Sequence, residues 1–565
     1  MVQSVAVIGA GLSGLSCIKT CLEEGLQPTC FESSCDIGGV WRYKEEFEPD
    51  RANIYQTVVI NSSKEMMAYS DFPPPAELPN NMHHSEVLGY LRLYAEHFKL
   101  LPHIHFKTAV QKVRQTPDFA LTGQWEVDTE KQNGQKETHV FDAVIVCTGH
   151  FTHPHFPLKD FPGMSIYVVV ILNKMMGSVV ILFLLGIENF EGRYFHSWEY
   201  RNTNGMEGKT VVVIGIGNSG GDIAVDISRV AEKVYVSSRS GAWVLGRVGP
   251  GGLPFDISFS RMDQIWGSFF PTRVTKNVEK MLNAHFDHTL YGLQPTHHFF
   301  ARIPVVNDEL PARILSGRIR VKPKVKEFSG SSVVFDDGTI IDKVDVVIFA
   351  TGYNYNFPFL PPELQNKSGY RLRLYRHIIP PSLAHPTLAV VGLINALGSV
   401  NPMSEMQGLW ATRVFKGIIK LPSEETMNRE IENETEIMHQ WFSCSDLNPL
   451  YVFFVPYLDS LAKEVGVLPN FLWLFLTDPR LAMQVLFGPC TPYQYRLTGP
   501  GRWSGARQAI LSQWERMYEP FKTRVVPEPE KKNKFKLKVS VILPGTVLLC
   551  FILYKRQLLP KLSLM

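Results

Sequence analysis

Cysteine is scarce in this chain: eight residues in 565 (Cys17, Cys21, Cys30, Cys35, Cys147, Cys444, Cys490 and Cys550). Several of them sit inside apolar strand or helix patterns, which excludes a disulfide scaffold. Net charge is scarce too. A formal charge of +3 over 57 basic and 54 acidic residues is too small for a nucleic-acid footprint, so no DNA or RNA partner is expected. The first residues lack the basic start and small-residue cleavage site of a secretory signal, and the expectation is a catalytic body facing the cytosol. No metal set is evident, because His83-His84 and His297-His298 are adjacent pairs without further ligands at useful spacing. Long apolar runs are also few. Val539 to Leu553, with Lys531, Lys532, Lys534, Lys536 and Lys538 before it and Lys555, Arg556 and Lys561 after it, is shorter than the roughly 20 residues of a straight span. Its flanking lysines and Tyr554 can extend its reach, and membrane lipid is the expected partner of residues 531–565.

What is present is glycine in the right places. A length of 565 residues implies two to four structural units, and 45% hydrophobic with 20% charged residues is a folded composition. Ser4 to Ile8 reads as a strand, Gly9-Ala10-Gly11-Leu12-Ser13-Gly14 as a turn, Leu15 to Glu24 as a helix and Pro28 to Phe31 as a second strand. Glycines at this spacing turn tightly, let a pyrophosphate approach the backbone and pack helix on strand, while the helix start supplies amide donors. Glu32, eighteen residues past Gly14, is where a ribose hydroxyl needs an acceptor. Gly38-Gly39-Val40-Trp41 follows, with adjacent glycines for close backbone approach and an indole to wall a cofactor.

The unit returns at Thr210 to Ile214, Gly215-Ile216-Gly217-Asn218-Ser219-Gly220, Gly221 to Val230 and Lys233 to Ser237, with Asp222 at the start of the helix. Here the ribose-reading acid is missing. Arg239 stands nineteen residues past Gly220, where a cation pairs with a 2′-phosphate, so the second dinucleotide is read as NADPH. Val144 to Gly149 and Ile348 to Tyr353 look like sister strands leading out of the two units. The fold class is therefore α/β, with two Rossmann-like dinucleotide-binding domains, the second inserted into the first, and a C-terminal membrane-associated helical region. The expected divisions are 1–163, 164–186, 187–352, 353–530 and 531–565.

Phe190-Glu191-Gly192-Arg193-Tyr194-Phe195-His196-Ser197-Trp198-Glu199-Tyr200 matches FxGxxxHxxx(Y/F). Together with Asn61-Ser62-Ser63-Lys64-Glu65-Met66-Met67, Phe349-Ala350-Thr351-Gly352-Tyr353 and the basic-flanked C-terminus, it resembles the flavin-containing monooxygenases of vertebrate microsomes over nearly the whole chain. The resemblance implies FAD in the first unit and NADPH/NADP⁺ in the second. It implies a C4a-hydroperoxyflavin that oxygenates soft nitrogen- or sulfur-containing nucleophiles of xenobiotic type with O₂, at the endoplasmic reticulum membrane, with homo-oligomers open. It implies that Gly39, Val40, Trp41, Ile60, Asn61 and Ser62 lie by the flavin, with Asn61 the first choice for a polar catalytic residue because an amide both donates and accepts. For His196 it implies a linker and cofactor-geometry role rather than proton transfer.

The chain departs from the family between Phe161-Pro162-Gly163 and Ile187-Glu188-Asn189-Phe190, where Met164 to Gly186 is extra and mostly apolar. A membrane hairpin and a splice-like insertion both fit it. Asn354-Tyr355-Asn356, Asn395 and Asn401 also depart from the family pattern. An FAD- and NADPH-dependent disulfide reductase would use the Cys30/Cys35 spacing, but these flank Glu32 at the ribose turn. An uncoupled NADPH oxidase, a Baeyer–Villiger-type oxygenase and a cofactor-binding pseudoenzyme impaired by the insertion share the same fingerprints.

Overall fold

The computed structural model describes residues 2–524 apart from 47, 49–50, 161–166, 175–176, 185–189, 365–371 and 443–449, and of residues 167–174, 177–184 and 440–442 only the backbone. The expected anchor at 531–565 lies outside the described residues. Two five-stranded parallel sheets organise the chain. In the first, Leu388–Val390, Ala143–Val146, Ser4–Ile8, Gln27–Phe31 and Ile104–His105 lie side by side. In the second the order is Arg193–His196, Val346–Phe349, Thr210–Ile214, Lys233–Ser237 and Ile319–Lys322. Each sheet thus places its glycine-turn strand in the centre. Because Leu388–Val390 pairs with Ala143–Val146, the first sheet is completed only after the second has been built.

The continuous apolar strands follow from burial on both faces. Val5 and Val7 pack with Leu15 and Ile18 of the first helix and with Met403 and Trp410 of helix Val400–Phe415, while Ala6 and Ile8 pack on the opposite side with Val144, Val146 and Trp125. A buried charge network joins that first helix to the C-terminal half: Lys19 Nζ lies 2.5 Å from Asp71, and Arg496 Nη2 lies 3.0 Å from Glu405 and 3.4 Å from Asp71. Removing one member strands the others in a dry environment.

Both glycine-turn helices begin earlier than their sequence pattern predicts, at Leu12 rather than Leu15 and at Asn218 rather than Gly221. The third glycine of each motif therefore lies inside the helix. A Cβ on Gly14 would fall 1.8 Å from the carbonyl oxygen of Gly9, and one on Gly220 2.1 Å from that of Gly215. Only glycine lets the first helical turn close onto the strand end.

Within the extra segment, Tyr167–Lys174 and Gly177–Leu184 pair antiparallel, from Tyr167↔Leu184 to Lys174↔Gly177. They form a two-stranded sheet of their own and join neither large sheet. The FxGxxxH segment continues past it as the edge strand Arg193–His196 of the second sheet.

Candidate functional site

At the first cradle, Gly11 is the helix N-cap and no side chain caps the helix, which leaves the amides of its first turn for an anion. Gly39 comes up against it: a Cβ on Gly39 would sit 3.1 Å from Gly11 Cα. The Gly38 amide donates to the Ala10 carbonyl at 3.0 Å, so the two glycine turns form one backbone surface. Glu32, buried, accepts the Ala10 amide on Oε2 at 2.8 Å and the Ser34 amide on Oε1 at 2.9 Å. Its carboxylate braces the cradle and keeps further lone pairs for a ribose. Ser13 turns its hydroxyl away, 2.9 Å from that of Ser404, so only its backbone faces the loop. Val40 and Trp41 form a short 3₁₀ turn with Gly39, and the indole Nε1 is buried without a protein partner.

At the second cradle Gly217 is exposed, and a Cβ there would meet nothing within 4 Å. Gly221 lies against Val305, whose Cγ1 is 2.8 Å from where a Cβ would be. Asn218 Oδ1 accepts the Val306 amide at 2.7 Å, and Ser219 follows it in the first turn. Asp222 gives one oxygen to the Tyr55 hydroxyl at 2.7 Å and the other to Asn307 Nδ2 at 2.6 Å. Burial pushes its carboxyl above the usual range. Arg239, two residues past the strand Lys233–Ser237, is exposed and has no hydrogen-bond or ion-pair partner among the described residues, which leaves its guanidinium for a ligand.

The two halves are tied along the helix of the second cradle. Besides Tyr55 and Asp222, the Thr57 and Tyr200 hydroxyls donate to Asp226 Oδ2, one turn further along the second helix, at 3.2 and 2.8 Å. Asn61 is exposed, and its Oδ1 accepts Arg247 Nη2 at 2.8 Å. Ile60 and Asn61 are held through their carbonyls by Asn81 Nδ2, at 3.2 Å each, with Ser62 next in the turn. Tyr55, Arg247, Asp256 and Asn307 are residues the sequence did not single out. The Gly-Pro-rich run around Arg247 marks a loop but carries no signal of its partner.

His196 is buried. Its Nδ1 accepts the Trp198 amide at 3.1 Å, and burial pulls the imidazole down to about 4. It is a neutral cap of the turn Ser197–Glu199. His83 is likewise a helix cap, accepting the Ser85 amide at the start of His84–His97. All six described cysteines are free, with Cys30 in the core of its strand and Cys35 exposed in the turn beyond, so the reductase spacing does not form a pair here.

Two nested parallel sheets, each with an uncapped glycine-turn helix, define an α/β protein of two Rossmann-like units. The flavin-binding monooxygenase-like family matches residues 2–176 and 175–555. The chain is 48% identical to flavin-containing monooxygenase 5 of Rattus norvegicus over 98% of its own length and 99% of the relative's. It is 46% identical to dimethylaniline monooxygenase [N-oxide-forming] 2 of Mus musculus, over 96% and 98%. Among solved structures, S-allyl-L-cysteine S-oxygenase from Allium sativum superposes with a TM-score of 0.61 at 24% identity, covering 92% of this chain and 99% of that one. An open cyclohexanone monooxygenase does so with a TM-score of 0.58 at 18% identity, covering 82% and 98%. These two likenesses concern the fold. The chain belongs to the flavin-binding monooxygenase-like family and is an enzyme, a flavin-containing monooxygenase.

Proposed function

We propose that this enzyme binds FAD at the Gly9–Gly14 cradle and NADPH at the Gly215–Gly220 cradle, and oxygenates soft nitrogen- or sulfur-containing small molecules. The observation that carries the reading is the pair of uncapped glycine-turn helices, one with the carboxylate of Glu32 beyond it and the other with the unpartnered guanidinium of Arg239. A carboxylate suits a free ribose hydroxyl and a guanidinium a 2′-phosphate. When bound, the flavin supplies the chemistry, taking electrons from NADPH and activating dioxygen for transfer of one oxygen atom. The protein's task is to position the two cofactors and to keep the reacting centre dry. Asn61 contributes a donor: its oxygen is spent on Arg247, so its two amide hydrogens are what it offers to a ligand.

The same reading places the body on the endoplasmic reticulum membrane. Among the described residues no helix is long and apolar enough to cross a membrane. Trp266 (51% exposed), Trp473 (59%) and Leu476 (74%) nevertheless stand out on helices Arg261–Phe269 and Phe471–Thr477. Both helices pack against Pro479–Phe487, and amphipathic rings of this kind suit a lipid headgroup boundary.

Anaerobic mixing tests the cofactor assignment. NADPH should bleach the flavin absorbance of the holoenzyme, and Arg239→Ala should weaken NADPH by about 10- to 150-fold, the equivalent of about 1.5–3 kcal/mol for a hydrogen bond to a charged group, with little change for NADH. Equal loss for both nucleotides would move the 2′-phosphate contact elsewhere.

A further inference from the structure

The loop that follows Val244–Leu245, a strand paired with Val305–Val306 outside the two large sheets, reaches to the Asn61 turn with two grips. It is a closed loop: the Phe255 amide donates to the Arg247 carbonyl at 2.8 Å, and the Gly249 amide to that of Leu253 at 2.7 Å. Arg247 and Asp256 are thereby fixed beside one another on its two legs. Arg247 Nη2 donates to Asn61 Oδ1 at 2.8 Å, and Asp256 Oδ2 accepts the backbone amide of Ser63 at 2.7 Å. Ser63 is fully buried. Its amide therefore depends on this carboxylate, and a buried donor left unmet costs about 1–3 kcal/mol.

From its own half of the chain the turn is held by the Ile60 amide to the Met82 carbonyl at 2.9 Å, the Lys64 amide to the Asn80 carbonyl at 2.7 Å and Asn81 Nδ2 to the carbonyls of Ile60 and Asn61, with Glu65 further on tied to Tyr493 and Arg516. None of these touches the Asn61 side chain. We propose that Asp256 is a positioning residue for Asn61: by holding the Ser63 amide it keeps the turn in the register at which Arg247 takes the Asn61 oxygen and leaves the amide hydrogens free for a ligand. Among the described residues the one other side-chain donor acting on this carboxylate is the hydroxyl of Ser63 itself, so from the turn Asp256 is engaged by the residue it holds. Burial, which raises its acid range to about 6, marks the same exclusion of water. The orientation of Asn61 then depends on the seating of the nucleotide-binding half against the flavin half, although among the described residues the two five-stranded sheets share no strand.

The consequence for oxygenation rests on the cofactor reading above, and the test separates the two. Hydrogen–deuterium exchange of the FAD-loaded wild-type enzyme should show Ser63 protected. In Asp256→Ala the peptide spanning Ile60–Met66 should exchange at least about tenfold faster, while peptides of the two parallel sheets are unchanged. The same variant should reduce its flavin with NADPH at the wild-type rate yet release a larger share of the electrons as peroxide. Asp256→Asn retains an acceptor for the Ser63 amide and should restore both readouts. An unprotected Ser63 amide in the wild type overturns the proposal even if Asp256→Ala does not fold. So does an Asp256→Ala protein with wild-type exchange and wild-type coupling. Failure of the wild type to reduce its flavin with NADPH would instead remove the cofactor reading and leave the exchange result standing.

Discussion

Gly11 and Gly14 belong to one motif yet carry different burdens, and substitution should separate them. At Gly14 an added Cβ lands 1.8 Å from the Gly9 carbonyl oxygen, a backbone clash with no side chain to give way. Gly14→Ala should lower stability by about 1–3 kcal/mol or more, read as a lower urea midpoint. At Gly11 the backbone is ordinary (φ −73) and the nearest atom to an added Cβ is Gly39 Cα at 3.6 Å. Gly11→Ala should keep its apoprotein midpoint within about 0.5 kcal/mol while losing most of its flavin, measured as absorbance per mole of protein. Full flavin content would show that the cofactor backbone does not pass there. Such glycines were legible in the sequence because their spacing is local. Arg247 and Asp256 were not, since their partners Asn61 and Ser63 lie 186 and 193 residues away, and no local pattern encodes a contact made across the chain.

The elements were read well where a strand runs into a glycine turn, and less well at the helix starts. Periodicity begins only after the third glycine, whereas the helix begins as soon as a residue lacking Cβ lets it, at Leu12 and Asn218. The extra segment was legible as apolar and foreign, but its antiparallel pairing was not, because short apolar runs carry no period that tells strand from helix. That hairpin joins neither parallel sheet. Its length alone costs little, about 0.6 kcal/mol per doubling of a loop, and the burden lies in its apolar sequence. Deleting Met164 to Gly186 should raise soluble yield and the fraction of NADPH electrons recovered in product, with flavin content unchanged. Loss of flavin or of folding on deletion would make the segment part of the core.

For the whole molecule, nesting one sheet within the other places Asp222 and Asp226 on Tyr55 and Thr57, and so the two cradles share one frame. The same burial has an acid consequence. His150, His196 and His288 are buried and each is held down to about 4; His288 Nε2 accepts the Val244 amide at 3.1 Å, which requires a neutral ring. Above about pH 6.5 neither state binds these protons. As pH falls towards 4 the unfolded chain takes them up and the folded one does not, so stability is lost by about 1.4 kcal/mol per pH unit for each ring. The raised Asp256 carboxyl offsets part of this below about pH 6. Urea midpoints should fall between pH 7 and 5, and His288→Gln should make the fall shallower; an unchanged slope would remove His288 from the account.

The central claim is that two cofactors seated in one frame deliver an oxygen atom to a soft nucleophile. It is tested most directly by following NADPH consumed, oxygen consumed, peroxide released and product formed in one reaction with a thioether or a tertiary amine. The account predicts one sulfoxide or N-oxide for each NADPH and each O₂, with peroxide a minor product. NADPH and oxygen consumed in equal amounts with peroxide as the sole product, or no NADPH consumed by flavin-loaded protein, would contradict it.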